Sequence, residues 1–132
     1  MPILSVQIGA HRSPALTNAI KDLLLDLTQR ILHKSPAVTA IALQYVDPQD
    51  WFIAGRSLAD WGQSSIYFDI KITDETNSKA EKAAYIAAAF AGLGEILGDL
   101  HEESYIYVQD VRATAYGYGG KTQEHRYQHP AA

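Results

Sequence analysis

The 132-residue chain has no cysteine, which excludes disulfides, thiolate metal sites and cysteine nucleophiles. It also lacks any long basic block: 11 Lys and Arg stand against 15 Asp and Glu, a formal net charge of −4. That balance does not favour nucleic acid or an anionic membrane as a partner. No apolar run is long enough to span a bilayer, and no charged leader with an apolar stretch precedes the first strand. Charged residues are only 20% of the chain and hydrophobic ones 47%, an ordinary composition for a globular protein with its own core. The expectation is a cytoplasmic protein with one domain per chain. His101, His125 and His129 are too dispersed, or too far into the tail, to read as a metal set. Gly117, Gly119 and Gly120 do not open a helix after a strand and so make no phosphate loop. The chemistry expected of this chain uses no cofactor.

What is present is one pattern written twice. Val6 and Ile8 alternate with Ser5 and Gln7, the period of a half-buried strand. Ser13-Pro14 then marks a helix start, with an oxygen at the N-cap and proline where its missing N–H costs nothing. Leu16, Ala19, Ile20, Leu23, Leu24, Leu27 and Ile31 form one apolar stripe. Ser35-Pro36 stops that helix, and residues 38–46 are rich enough in Val, Ile, Leu and Tyr for a second strand. Asp47-Pro48 breaks this strand before a loop containing Trp51, Phe52, Gly55, Trp61 and Gly62. The second unit begins at Ser65, with Ile66, Phe68, Ile70 and Ile72 on one strand face and Tyr67, Asp69 and Lys71 on the other. Ser78 and Glu81 have the spacing of a capping box. Ala83, Ile86, Phe90, Leu93, Leu97 and Leu100 follow as the expected stripe of the second helix. A last strand runs from Tyr105 to about Ala113 and ends at the turn-like Tyr116-Gly117-Tyr118-Gly119-Gly120.

The fold class expected is α+β: two right-handed β-α-β units form a four-stranded sheet with both helices on one face. Tyr45 and Tyr105 fall on strands, so the face without helices is expected to be covered by self-association. The domain is expected over residues 1–120, with repeats of about 1–64 and 65–120, and residues 121–132 as a C-terminal tail.

Pro2 heads the first strand. If Met1 is removed, Pro2 becomes a terminal secondary amine on a rigid ring. An α-amino group has a pKa of about 7.7–8.0, and partial burial lowers it by disfavouring the charged form. A neutral amine of this kind can remove a proton beside a keto group. With Met1 retained, the same nitrogen is an amide without basic character.

Met1-Pro2 at the head of a strand, Arg12 just after it, and two β-α-β units of matching length resemble the tautomerase superfamily. That group includes 4-oxalocrotonate tautomerase, 5-carboxymethyl-2-hydroxymuconate isomerase, macrophage migration inhibitory factor and the chloroacrylic acid dehalogenases. Tyr105-Ile106-Tyr107-Val108-Gln109-Asp110-Val111 followed by Tyr116-Gly117-Tyr118 is similar to the last strand and turn of migration inhibitory factor. Trp51-Phe52-Ile53-Ala54-Gly55 resembles the aromatic–glycine loop of several members. The resemblance spans about residues 1–120. It implies a homotrimer whose open sheet faces line an inner barrel. It also implies a cofactor-independent tautomerase in which Pro2, freed of Met1, is general base and acid on a small 2-oxo or 2-hydroxy unsaturated acid. The alternatives are a hydratase or dehalogenase of unsaturated acids, or a binding protein that keeps the fold.

Residue by residue, the resemblance makes Arg12 and Lys34 candidates for the substrate carboxylate. Arg12 otherwise reads as a solvated loop arginine, and Lys34 as a helix-terminal lysine facing the dipole. Tyr105 matches a pocket tyrosine supplied by a neighbouring subunit, whose hydroxyl would donate to substrate; otherwise its ring is core. Tyr107 stands where migration inhibitory factor has an asparagine. Tyr116 and Tyr118 match that protein's pocket wall, and also read as an exposed turn. Trp51 and Phe52 either close the pocket or pack on the barrel rim. Ala42 stands where 4-oxalocrotonate tautomerase has a second arginine, and Thr73 and Thr76 where the dehalogenases carry theirs. Those differences argue against haloacrylate chemistry.

Overall fold

In the computed structural model, which describes residues 2–130, the chain runs β1 (Ile3–Gly9), α1 (Pro14–Arg30), β2 (Ala40–Val46), β3 (Phe52–Ile53), β4 (Arg56–Ser57), α2 (Leu58–Trp61), β5 (Ser65–Thr73), α3 (Lys79–Leu97), β6 (Tyr105–Val111), β7 (Gly117–Tyr118), β8 (Lys121–Thr122) and α4 (Gln123–Gln128). The expected removal of Met1 concerns a residue outside the described range.

The four long strands form one sheet in the order β2-β1-β5-β6. β1 pairs parallel with β2, and β5 parallel with β6, each pair joined through its crossover helix. The two units meet antiparallel along β1 and β5. The α+β arrangement read from the sequence is the arrangement found.

Local chemistry explains the boundaries. Ser13 caps α1 by accepting from the Leu16 N–H, with Pro14 at the first helical position. Ser78 and Glu81 make the full reciprocal capping box of α3. Ser35 caps a short 3₁₀ turn over Pro36–Val38, so β2 begins at Ala40 rather than Val38. β6 ends at Val111, two residues earlier than expected.

The core lies between the sheet and the helices. Leu4, Val6 and Ile8 from β1, Ile66, Phe68, Ile70 and Ile72 from β5, and Ile20, Leu24 and Leu27 from α1 are all buried in it. The α3 stripe differs from expectation. Ala83 and Ile86 are exposed, while Tyr85, Ala89 and Leu93 face inward. Leu100 lies beyond the helix, in a bridge to Ser64. The physical reason is at the tip of Tyr85: its hydroxyl meets the Thr28 hydroxyl at 2.9 Å, both groups buried. A polar-tipped ring therefore enters the core at no unsatisfied cost.

The uncovered face is built in rows. Ala40, Ile3, Lys71 and Gln109 lie side by side, then Ala42, Ser5, Asp69 and Tyr107, then Gln44, Gln7, Tyr67 and Tyr105. Most of its side chains are small or polar, with a tyrosine corner. Tyr45 belongs to the other face, where its hydroxyl reaches Thr17 Oγ1 at 2.8 Å and donates to the Ser13 carbonyl at 3.2 Å.

Candidate functional site

Pro2 is buried at the head of β1, and its carbonyl accepts from the Ala40 N–H at 3.1 Å. Ile3 pairs with Lys71, so one step earlier in the antiparallel register places Pro2 beside Ile72, which pairs in turn with Asp110. Pro2 thus sits where β1 begins and β5 ends.

Lys34 is brought to the same end of the sheet by the way α1 stops. His33 takes a left-handed conformation (φ 60°), and the Lys34 N–H turns back to the Thr28 carbonyl at 3.2 Å. Lys34 Nζ then donates to Thr76 Oγ1 at 2.7 Å, while Thr76 Oγ1 donates to the Thr73 carbonyl at 2.6 Å. Thr73 Oγ1 and the Tyr116 hydroxyl are hydrogen-bonded. Partial burial pulls the Lys34 ammonium below the usual lysine range, against the opposing charges of Glu81 and Asp110. Burial likewise raises Tyr116 above the usual phenol range, with the Thr73 bond acting the other way. Asp110 itself is held by Lys82 at 2.5 Å, the structural partnership that a carboxylate on a strand edge suggests. His33 stays on the surface, with Nε2 at 3.2 Å from Glu81.

Most of the other expected residues lie at the opposite end. Arg12 follows Gly9, beyond the far end of β1, and seven strand residues span roughly 20 Å. Tyr105 is level with Tyr67 and Gln7 at that far end, with Tyr107 one row nearer the middle. Trp51, Phe52, Ile53 and Ala54 meet Gln7, Tyr67, Glu103 and Tyr105 around an open groove of about 590 Å³. Tyr105 is 49% exposed and Phe52 62%, so neither belongs to this chain's core. The Tyr107 ring lies near both other tyrosines, 5.7 Å from the Tyr67 ring and 6.4 Å from that of Tyr105. Close packing seats Trp51 here: a Cβ on Gly9 would fall 2.8 Å from Trp51 Cε3.

The Tyr105 hydroxyl, expected to donate to a substrate, donates instead to Glu103 Oε2 at 2.5 Å. That bond, reinforced by the carboxylate charge, raises Tyr105 above the usual phenol range. Tyr118 lies in the β7–β8 hairpin, its ring 3.9 Å beneath the Arg126 guanidinium and its carbonyl accepting from Arg126 Nη2 at 2.9 Å.

One chain therefore gathers Pro2, Lys34 and Tyr116 at one end of the sheet, and Trp51, Phe52 and Tyr105 at the other. Glu103 was missed in the sequence, although it stands two residues before Tyr105, the spacing that shares a strand face. Gln7 and Tyr67 carried no signal beyond their strand period. Thr73 and Thr76 stood out only as absent arginines, and their contacts with Tyr116 and Lys34 depend on the fold.

No protein-family model matches this chain, and no curated protein sequence does either. Solved structures do. A fused 4-OT wild type described as a symmetric trimer shares 21% identity, covering 92% of this chain and 96% of its own, at a TM-score of 0.80. Pt0534 inactivated by 2-oxo-3-pentynoate shares 14% identity over 93% of this chain and 98% of its own, at a TM-score of 0.81. FG41 malonate semialdehyde decarboxylase inhibited by 3-bromopropiolate shares 18% identity over 98% of both chains, at 0.75. A likeness that runs nearly end to end in each case shows that this chain has the fold of these solved structures, a 4-OT-like fold.

Proposed function

We propose that this chain is a cofactor-independent tautomerase of small 2-oxo or 2-hydroxy unsaturated acids, acting through Pro2 as a terminal amine after loss of Met1. The observation that carries this reading is the burial of Pro2 at the same sheet end as the partly buried Lys34 ammonium. A buried secondary amine favours its neutral form. A neighbouring ammonium disfavours a second positive charge, and it also holds a substrate carboxylate. Lys34 gives one N–H to Thr76 and keeps others for a ligand.

In the forward direction, the Pro2 nitrogen takes the proton from the carbon beside the ketone, and the carbon–hydrogen electron pair becomes the enolate. The protonated Pro2 returns that proton to the oxygen, which completes the enol and restores the neutral amine; ketonisation runs the same steps backwards. General acid–base catalysis of this kind contributes roughly 10²–10⁴-fold. The separation of Pro2 from Tyr105 along the sheet fits a homotrimer in which one copy's Pro2 and Lys34 face the groove of the next. Arg12, Tyr105, Tyr107, Trp51 and Phe52 would then come from the neighbouring copy, with Tyr116 and Tyr118 as wall residues. The description of a similar fused 4-OT as a trimer supports that assembly. We also place the protein in the cytoplasm; among the described residues no helix is long and apolar enough to cross a membrane.

The test pairs intact mass with kinetics. Protein whose mass shows a free Pro2 should interconvert phenylpyruvate and its enol, and Pro2→Ala should lower kcat/KM by about 100-fold or more. Equal turnover by Pro2→Ala, or by protein that retains Met1, would overturn the assignment.

A further inference from the structure

The groove around Tyr105 has an unusual charge for a site meant to take an acid. Trp51, Phe52, Tyr67 and Tyr105 contribute rings, and the one charged side chain lining it is Glu103. Arg56, the cation of the β3–β4 hairpin, is turned elsewhere: its guanidinium lies 4.3 Å from the Trp61 ring centroid, and Nη2 donates to the Asp60 carbonyl at 3.2 Å. Tyr105 has one hydroxyl proton, and Glu103 holds it. What Tyr105 offers a ligand is then its lone pairs. The Glu103–Tyr105 pair is an acceptor pair, not a donor.

We propose that this groove receives the distal end of the substrate and selects a cation there, so that the substrate class is a 2-oxo monocarboxylate with an ammonium-bearing tail rather than a dicarboxylate. The inference rests on the proposed function, in which the acid end is held by the Pro2 and Lys34 of an adjoining copy. A second carboxylate in the groove would face Glu103 with like charge and no lysine or arginine from the lining, because Arg12 of the same copy lies outside that lining and is left to the acid end beside Lys34. An ammonium group would meet that carboxylate and the faces of aromatic rings, both attractive to a cation. Gln7 completes the lining with an amide that accepts either partner.

The experiment uses phenylpyruvates bearing para-ammoniomethyl, hydrogen or para-carboxylate, assayed on processed protein and on Glu103→Gln. In the unaltered protein kcat/KM should fall in that order, by about fivefold between the ammonium and carboxylate members, the scale of one partly exposed charge pair. In Glu103→Gln the ratio should shrink to within about twofold. The non-reacting phenylpropanoate counterparts should bind in the same order, read through tryptophan fluorescence because Trp51 lines the groove. Ordered binding without any turnover would overturn the proposed tautomerase and leave this selection standing. Turnover with the carboxylate member equal or preferred, or an order unchanged in Glu103→Gln, would overturn the selection alone.

Discussion

A lysine partly withdrawn from water and bonded to a threonine titrates early. Burial lowers the Lys34 pKa from its ordinary 10.5, so the cation is lost at a lower pH than for a solvated lysine. If Lys34 holds the substrate acid, kcat/KM should fall on the alkaline side with an apparent pKa below 10.5. Lys34→Arg should carry that limb beyond the measurable range, because guanidinium stays protonated. A pH–rate profile of both proteins checks this; coincident alkaline limbs would remove Lys34 from the site. Gly9 acts at the same scale through space rather than charge. A Cβ there would lie 2.5 Å from Leu58 Cδ1 and 2.8 Å from the rigid Trp51 ring. Gly9→Ala should therefore cost about 1–3 kcal/mol, the range for overpacking, and displace Trp51 from the groove. Urea denaturation reads the first effect, and the fluorescence of Trp51 with bound phenylpropanoate the second.

Among the elements, the seam between α1 and α3 is held by the buried Thr28–Tyr85 hydrogen bond. Tyr85→Phe leaves the Thr28 hydroxyl without this partner and should destabilise the fold by about 1–2 kcal/mol at neutral pH. Burial also pushes the Tyr85 pKa up to about 12, from about 10 in an unfolded chain. The folded protein then keeps a proton that the unfolded chain loses. Stability from this group is complete below pH 10 and declines as pH rises towards 12, by about 2–3 kcal/mol in all. Urea melts between pH 9 and 12 should show that decline, and Tyr85→Phe should lack its share; parallel curves would rule it out. The same helix shows where periodicity loses its power. Apolar or small residues surround most of α3, as in Ala83-Ala84-Tyr85-Ile86-Ala87-Ala88-Ala89-Phe90. Two neighbouring stripes are then nearly equivalent, and Tyr85 is chosen over Ile86 by a partner 57 residues away. On α1 polar residues such as Lys21, Asp22 and Asp26 flank the stripe, and the inward face was readable.

At the scale of the whole molecule, the small residues of the uncovered sheet face set a clear test of assembly. Ser5 sits exposed in the middle of the face, between Ala42 and Asp69. In the proposed trimer Ser5→Trp should bring unaccommodated bulk into the barrel, shifting the mass from trimer to monomer in light scattering. Activity should fall in step if, as proposed, each site is shared by two copies. A monomeric protein with full turnover would exclude the shared site. What the sequence determined by itself was local: caps, strand alternation, the α1 stripe and the repeated β-α-β order, because each depends on residues within a few positions of one another. Tertiary structure alone decided that Pro2 and Lys34 share a sheet end while Arg12 lies far from them, that Tyr45 faces α1, and that Glu103 holds the Tyr105 proton. Those facts follow from strand register and from side-chain partners brought together only when the sheet closes, a distance in space that spacing along the chain does not encode.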